Sequence, residues 1–117
     1  MPLIELDTSC DLSGADRREA VAKELSRLAA SCIGKPEQYV MACVRDNVTM
    51  TMGGATGAAA LVSIKSIGGL SKDVNQKLAA QVSPMLQKEL SVAEDRVYLT
   101  FEELDRTHWA WKADTCG

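Results

Sequence analysis

Pro2 stands directly after Met1. A residue this small in that position normally lets the methionine be trimmed, so the mature chain is expected to begin with a secondary amine. Such an amine has a reference pKa of about 8, and burial or a nearby cation brings it toward neutrality. A base poised there suits general acid–base catalysis of a proton shift. Pro2 also suits the first position of a strand, where its missing N–H is not needed. The other reactive side chains point nowhere in particular. Cys10, Cys32, Cys43 and Cys116 contain no CxxC pair and read as free thiols. The sole histidine, His108, has no nearby cysteine, so neither a metal site nor a cofactor is expected.

The elements that would hold Pro2 are written twice. Residues 3–8 alternate as a strand, Ile4 and Leu6 against Glu5 and Asp7. Ser13 is the expected helix N-cap, with Asp16 completing a shortened capping box. Val21, Leu25, Leu28 and Cys32 keep helical spacing, Gly34 ends the helix and Pro36 blocks its continuation. Tyr39 to Arg45 reads as a second strand. Beyond a turn at Asp46-Asn47 and the pair Gly53-Gly54, the pattern recurs. It gives a strand over 58–66, then a helix capped by Ser71 with Val74, Leu78, Val82, Met85 and Leu86 as its stripe, then a strand over 97–101. The halves match at an offset of 57, which lays Glu37-Gln38-Tyr39-Val40 over Glu94-Asp95-Arg96-Val97. Pro84 should kink the second helix near Ala80.

The expectation is a single α+β domain over 1–117, with pseudo-repeat halves at about 2–57 and 58–117. Its duplicated β-α-β units would form a four-stranded mixed sheet with two helices on one face. The other face would carry Leu3, Met41, Cys43 and Tyr98 among polar groups. A small sheet with a half-apolar open face calls for a partner, and a closed ring of identical chains is the simplest. Apolar residues make up 46% of the chain and charged ones 25%, the balance of a globular protein. A net charge of −3 without a basic run argues against nucleic acid or an anionic membrane as partner. No secretory signal or membrane-spanning stretch is apparent, so a cytoplasmic protein is expected.

Several blocks together resemble the macrophage migration inhibitory factor and D-dopachrome tautomerase family of the tautomerase superfamily. They are Met1-Pro2, Gly34-Lys35-Pro36-Glu37-Gln38-Tyr39-Val40, Gly53-Gly54, Ser66-Ile67-Gly68-Gly69 and Asp95-Arg96-Val97-Tyr98. The run from Ile67 to Leu78 looks most like the plant and microbial branch. The resemblance implies a homotrimer with active sites between subunits. It also implies keto–enol tautomerisation of phenylpyruvate-like 2-oxo acids or dopachrome-type substrates. Cytokine-like signalling through a protein receptor, with secretion that needs no signal peptide, is the alternative it implies.

Carried over residue by residue, Pro2 is the catalytic base. Lys35 matches a lysine that engages the substrate's acid or carbonyl group and would also depress the Pro2 amine; it is equally an ordinary cation at a helix C-terminus. Ile67 matches a position whose backbone N–H binds substrate, and Gly68-Gly69 permits the approach. Tyr98 matches a tyrosine contributed by the neighbouring subunit. Trp111 matches a tryptophan at the rim, although it and Trp109 could equally pack subunits together. Thr100 stands where many animal members have asparagine, and Cys116, expected to be exposed, stands where they have an aromatic residue. Ala59 and Val62 replace the CxxC of some animal members, so thiol–disulfide chemistry is not expected there.

Overall fold

The computed structural model describes residues 1–117. Strand β1 (Pro2–Thr8), helix α1 (Ala15–Ile33) and strand β2 (Met41–Arg45) form the first half. Strand β3 (Ala60–Ser66), helix α2 (Lys72–Leu90) and strand β4 (Val97–Glu103) form the second. A C-terminal hairpin, absent from the sequence reading, adds β5 (Ala110–Trp111) and β6 (Asp114–Thr115). The internal repeat is closely kept. Helix α2 begins and ends 57 residues after α1, and the short 3-10 turn Glu94–Arg96 stands 57 residues after its counterpart Glu37–Tyr39.

The sheet order is β2-β1-β3-β4. Each half pairs its own strands in parallel, as a helical crossover requires, and the halves join antiparallel through β1 and β3. The alternation read in β1 sets the two faces. Ile4 and Leu6, with Val62 and Ile64 of β3, turn inward against Val21, Leu25, Leu28 and Cys32 of α1 and Leu78, Val82 and Leu86 of α2. Each of these aliphatic side chains contributes about 1.5–3 kcal/mol by leaving water. Truncating a fully buried one such as Leu25 to alanine would cost about 2–5 kcal/mol. On the opposite face Met41 and Tyr98 remain 63% and 65% exposed.

Local chemistry moves some boundaries. Ser13 is not the cap of α1: its own N–H donates to Asp11 Oδ1 at 2.8 Å, its φ is 58°, and Gly14 takes the N-cap position without a side-chain hydrogen bond. An aspartate turn has outcompeted the capping box. Ser71 does cap α2, accepting from the Val74 N–H at 3.2 Å. The second strand starts at Met41 rather than Tyr39, because Pro36 opens a 3-10 turn in which the Tyr39 N–H donates to the Pro36 carbonyl at 3.1 Å. Pro84 lies inside α2 without ending it, on an exposed side of the helix.

Candidate active site

Pro2 is buried at the start of β1, and its partner across the antiparallel pair is Ser66, the last residue of β3. That register puts Pro2 beside the turn that leaves β3. The turn is closed by Gly68 and Gly69 at φ 68° and 81°, a conformation costly for any residue with a Cβ. Ser66 Oγ donates to the Gly68 carbonyl at 2.7 Å, and the Ile67 N–H is directed at the Met1 carbonyl, 3.5 Å away. Lys35 reaches the same place from the other side. Gly34 ends α1 in the left-handed region at φ 77°, and the Lys35 N–H folds back onto the Ala30 carbonyl at 3.2 Å. The Lys35 stem then passes over Gly69. A Cβ on that glycine would sit 3.2 Å from Lys35 Cε and 2.9 Å from Ile33 Cγ2.

Pro2, Lys35 and Ile67, far apart in the chain, thus meet at one end of the β1–β3 pair. The charge of Lys35 is felt there. Burial, and after it Lys35, holds the Met1 amine below its ordinary value, while Cys116 acts in the opposite sense.

A cavity of about 240 Å³ opens over Pro2, walled by Leu3, Tyr39, Met41, Trp109 and Trp111. Tyr39 and Trp111 meet edge-to-face with centroids 5.6 Å apart. The β5–β6 hairpin carries Trp111 here, and it also brings back Cys116, whose N–H donates to the Trp109 carbonyl at 2.9 Å. Cys116 is not freely exposed, as the sequence reading had it: Cys116 Sγ lies 3.7 Å from Met1 Sδ and the residue is half-buried. Tyr39 and Met41 are cavity residues that sequence reasoning missed. Both read as ordinary strand formers, and only the 3-10 turn after Pro36 aims Tyr39 at Trp111.

Tyr98 and Thr100 are not brought to this cavity within one chain. They lie on the open face, opposite Leu61 and Ser63 of β3. Leu61 in turn pairs with Asp7, five residues along β1 from Pro2, or about 17 Å at the rise of a strand. A larger cleft of about 470 Å³ between α1 and α2 shares no residue with the Pro2 cavity and is lined by Arg17, Glu24, Lys88 and Glu89 among others. Its lining brings charged surface groups together without Pro2, so the smaller cavity is the candidate site.

Two β-α-β units joined into one mixed sheet are the architecture of the tautomerase superfamily, and Pro2 here lies at the edge of a cavity. The chain belongs to the macrophage migration inhibitory factor family, whose model matches residues 1–117. It is 30% identical over 117 residues to a macrophage migration inhibitory factor homolog of Brugia malayi, covering the whole of both chains. It is 34% identical over 107 residues to the D-dopachrome decarboxylase of Bos taurus, covering 91% of this chain and 89% of the relative. Among solved structures, the macrophage migration inhibitory factor homologue of Prochlorococcus marinus superposes with a TM-score of 0.91 at 34% identity, covering 98% of this chain and 99% of that one.

Proposed function

We propose that the chain, once Met1 is removed, is a keto–enol tautomerase of phenylpyruvate-like 2-oxo acids. The observation that carries this reading is Pro2 itself, buried beneath an aromatic-walled cavity and next to the Met1 amine on which the Lys35 charge acts. While Met1 is attached, the Pro2 nitrogen is an amide without a basic lone pair, and the Met1 carbonyl takes the Ile67 N–H. Removing Met1 frees both groups. The Pro2 amine then takes a proton from the carbon beside the substrate's carbonyl and returns it to the enolate oxygen, the reverse sequence giving the ketone. Lys35 holds the carboxylate, the Ile67 N–H hydrogen-bonds the substrate, and Tyr39 and Trp111 flank the aryl ring. No cofactor is called on. Dopachrome-type substrates are a second class, by analogy with the bovine relative named a D-dopachrome decarboxylase.

The reading includes a homotrimer in which a neighbouring subunit supplies Tyr98 and Thr100. The exposed Met41 and Tyr98 on the uncovered sheet face support it. The test is kinetic. Pro2→Ala, with Met1 removal verified by intact mass and the fold by circular dichroism, should lose at least about a hundredfold in kcat/KM for phenylpyruvate. An undiminished rate would sink the mechanism.

A cytokine-like binding protein with vestigial turnover is the second reading. It is favoured by relatives named for macrophage migration inhibition and by Cys116, which packs against Met1 where animal members have an aromatic residue. Failure to turn over any of a panel of 2-oxo acids, together with tight binding of a protein receptor, would establish it over the first. We place the protein in the cytoplasm, with secretion belonging to the second reading.

A further inference from the structure

The C-terminal hairpin turns on Lys112 and Ala113, whose φ angles are 54° and 62°. A two-residue turn of this hand needs both residues left-handed, and asparagine or glycine is the usual occupant. Lysine followed by alanine holds the same shape under backbone strain. The strained turn decides where Lys112 stands. Its Nζ lies 4.5 Å from the centroid of the Trp111 ring, and Trp111 is a wall of the Pro2 cavity in edge-to-face contact with Tyr39. Lys112 is exposed and forms no salt bridge, although Asp114 is two residues away. Its charge is therefore uncommitted, and it sits on Trp111, a wall of the cavity over Pro2, while Lys35 acts on the Met1 end of the same cavity. The chain as a whole is acidic, at −3, so the positive charge at this rim is local rather than part of a general field.

We propose that Lys112 is a specificity-determining residue: a second cation that favours substrates bearing another anionic group at the end of the ring remote from the 2-oxo acid. The inference rests on the tautomerase reading for its orientation. The 2-oxo acid goes to Lys35 and Pro2, the ring lies along Trp111, and a substituent on the far ring carbon emerges beside Lys112. An aryl acid without that substituent has nothing for Lys112 to meet.

The experiment compares phenylpyruvate with 4-carboxyphenylpyruvate on the chain lacking Met1. The quantity read is the ratio of their kcat/KM values. Lys112→Ala should lower the ratio for the doubly charged acid about threefold, the size of one exposed ion pair, mainly through KM. Lys112→Glu should lower it further and Lys112→Arg should keep it, and taking the ratio cancels any change that reaches both acids through Trp111. Lys23→Ala, on the exposed side of α1, controls for net charge and should leave the ratio unchanged. A ratio that ignores both Lys112→Ala and Lys112→Glu overturns the proposal. If the unsubstituted chain turns over neither acid, it is the tautomerase reading that has failed. Lys112 is then decided by binding, followed as quenching of tryptophan fluorescence by the same two acids. Loss of preference for the doubly charged acid in Lys112→Ala supports the role, and an unchanged preference overturns it.

Discussion

Lys35 illustrates how a residue with an ordinary excuse acquires a particular task. A cation one step past a helix end is commonplace, and it interacts favourably with the last carbonyls. Here the left-handed Gly34 swings it across Gly69 and toward the N-terminus, where burial first and the Lys35 charge second lower the pKa of the Met1 amine. The sign of its effect follows. A positive neighbour disfavours the protonated amine, so removing it must raise the amine's pKa. For the chain lacking Met1, Lys35→Ala should move the acid limb of the kcat/KM–pH profile to higher pH and, by losing the carboxylate anchor as well, lower kcat/KM at neutral pH by about tenfold or more. A limb that stays in place would mean that Pro2 does not feel Lys35. Pro2 could be picked out in the sequence because its chemistry is unusual for its position, and Lys35 only through the resemblance that the block Gly34-Lys35-Pro36 helps to carry. Tyr39 could not, since an aromatic residue ahead of a strand is ordinary and its place at the cavity depends on one i→i+3 hydrogen bond.

The turns matter more to this site than the strands they join. Gly69 sits at φ 81° with Ile33 and Lys35 packed where a side chain would project. Gly69→Ala should therefore destabilise the protein by about 1–3 kcal/mol, and it should also cut kcat/KM, because the atom that must yield is in the Lys35 side chain or in the Ile33 behind it. Thermal unfolding and steady-state kinetics on one sample check both effects. The Lys112–Ala113 turn predicts the opposite sign. Ala113→Gly relieves a left-handed alanine and should raise stability by about 0.5–1 kcal/mol, after allowing for the extra freedom of glycine in the unfolded chain. A lower Tm would show that the turn is not strained. Strands and helices were legible because burial imposes periods of 2 and 3.6 on the sequence. The β5–β6 hairpin was not, since two residues per strand are too few to show a period and its turn lacks the glycine or asparagine that would announce it.

At the scale of the molecule, the open sheet face and the remoteness of Tyr98 from Pro2 are one problem. If Tyr98 belongs to the site as proposed, a second copy has to bring it to the cavity, and the exposed Met41 offers that copy an apolar contact. Complementation tests the shared site directly. Subunits carrying Pro2→Ala, mixed through unfolding and refolding with subunits carrying Tyr98→Ala, should regain activity approaching about a quarter of the wild-type level, the share of sites that receive both native residues in a random ring. No gain over the separate variants would place each site within one subunit. Sedimentation should give three times the chain mass, and Met41→Glu should lower it by putting a charge where an apolar contact is needed.

By itself the sequence determined the duplicated β-α-β frame, the division of each strand into a core face and an open face, and the identity of a candidate base. These follow from local periodicity and from the chemistry of single residues, which need no knowledge of what lies across the fold. The tertiary structure decided everything that depends on register. Pairing Pro2 with Ser66 sets Ile67 and Gly69 beside the N-terminus, and a shift of one residue would have turned Ile4 and Leu6 out of the core. It also decided that Tyr39 and Trp111 share one cavity, that Cys116 packs against Met1 beside it, and that Tyr98 stays away from it. Long-range pairing is settled by the sum of many weak contacts, so it leaves no mark on any short stretch of chain.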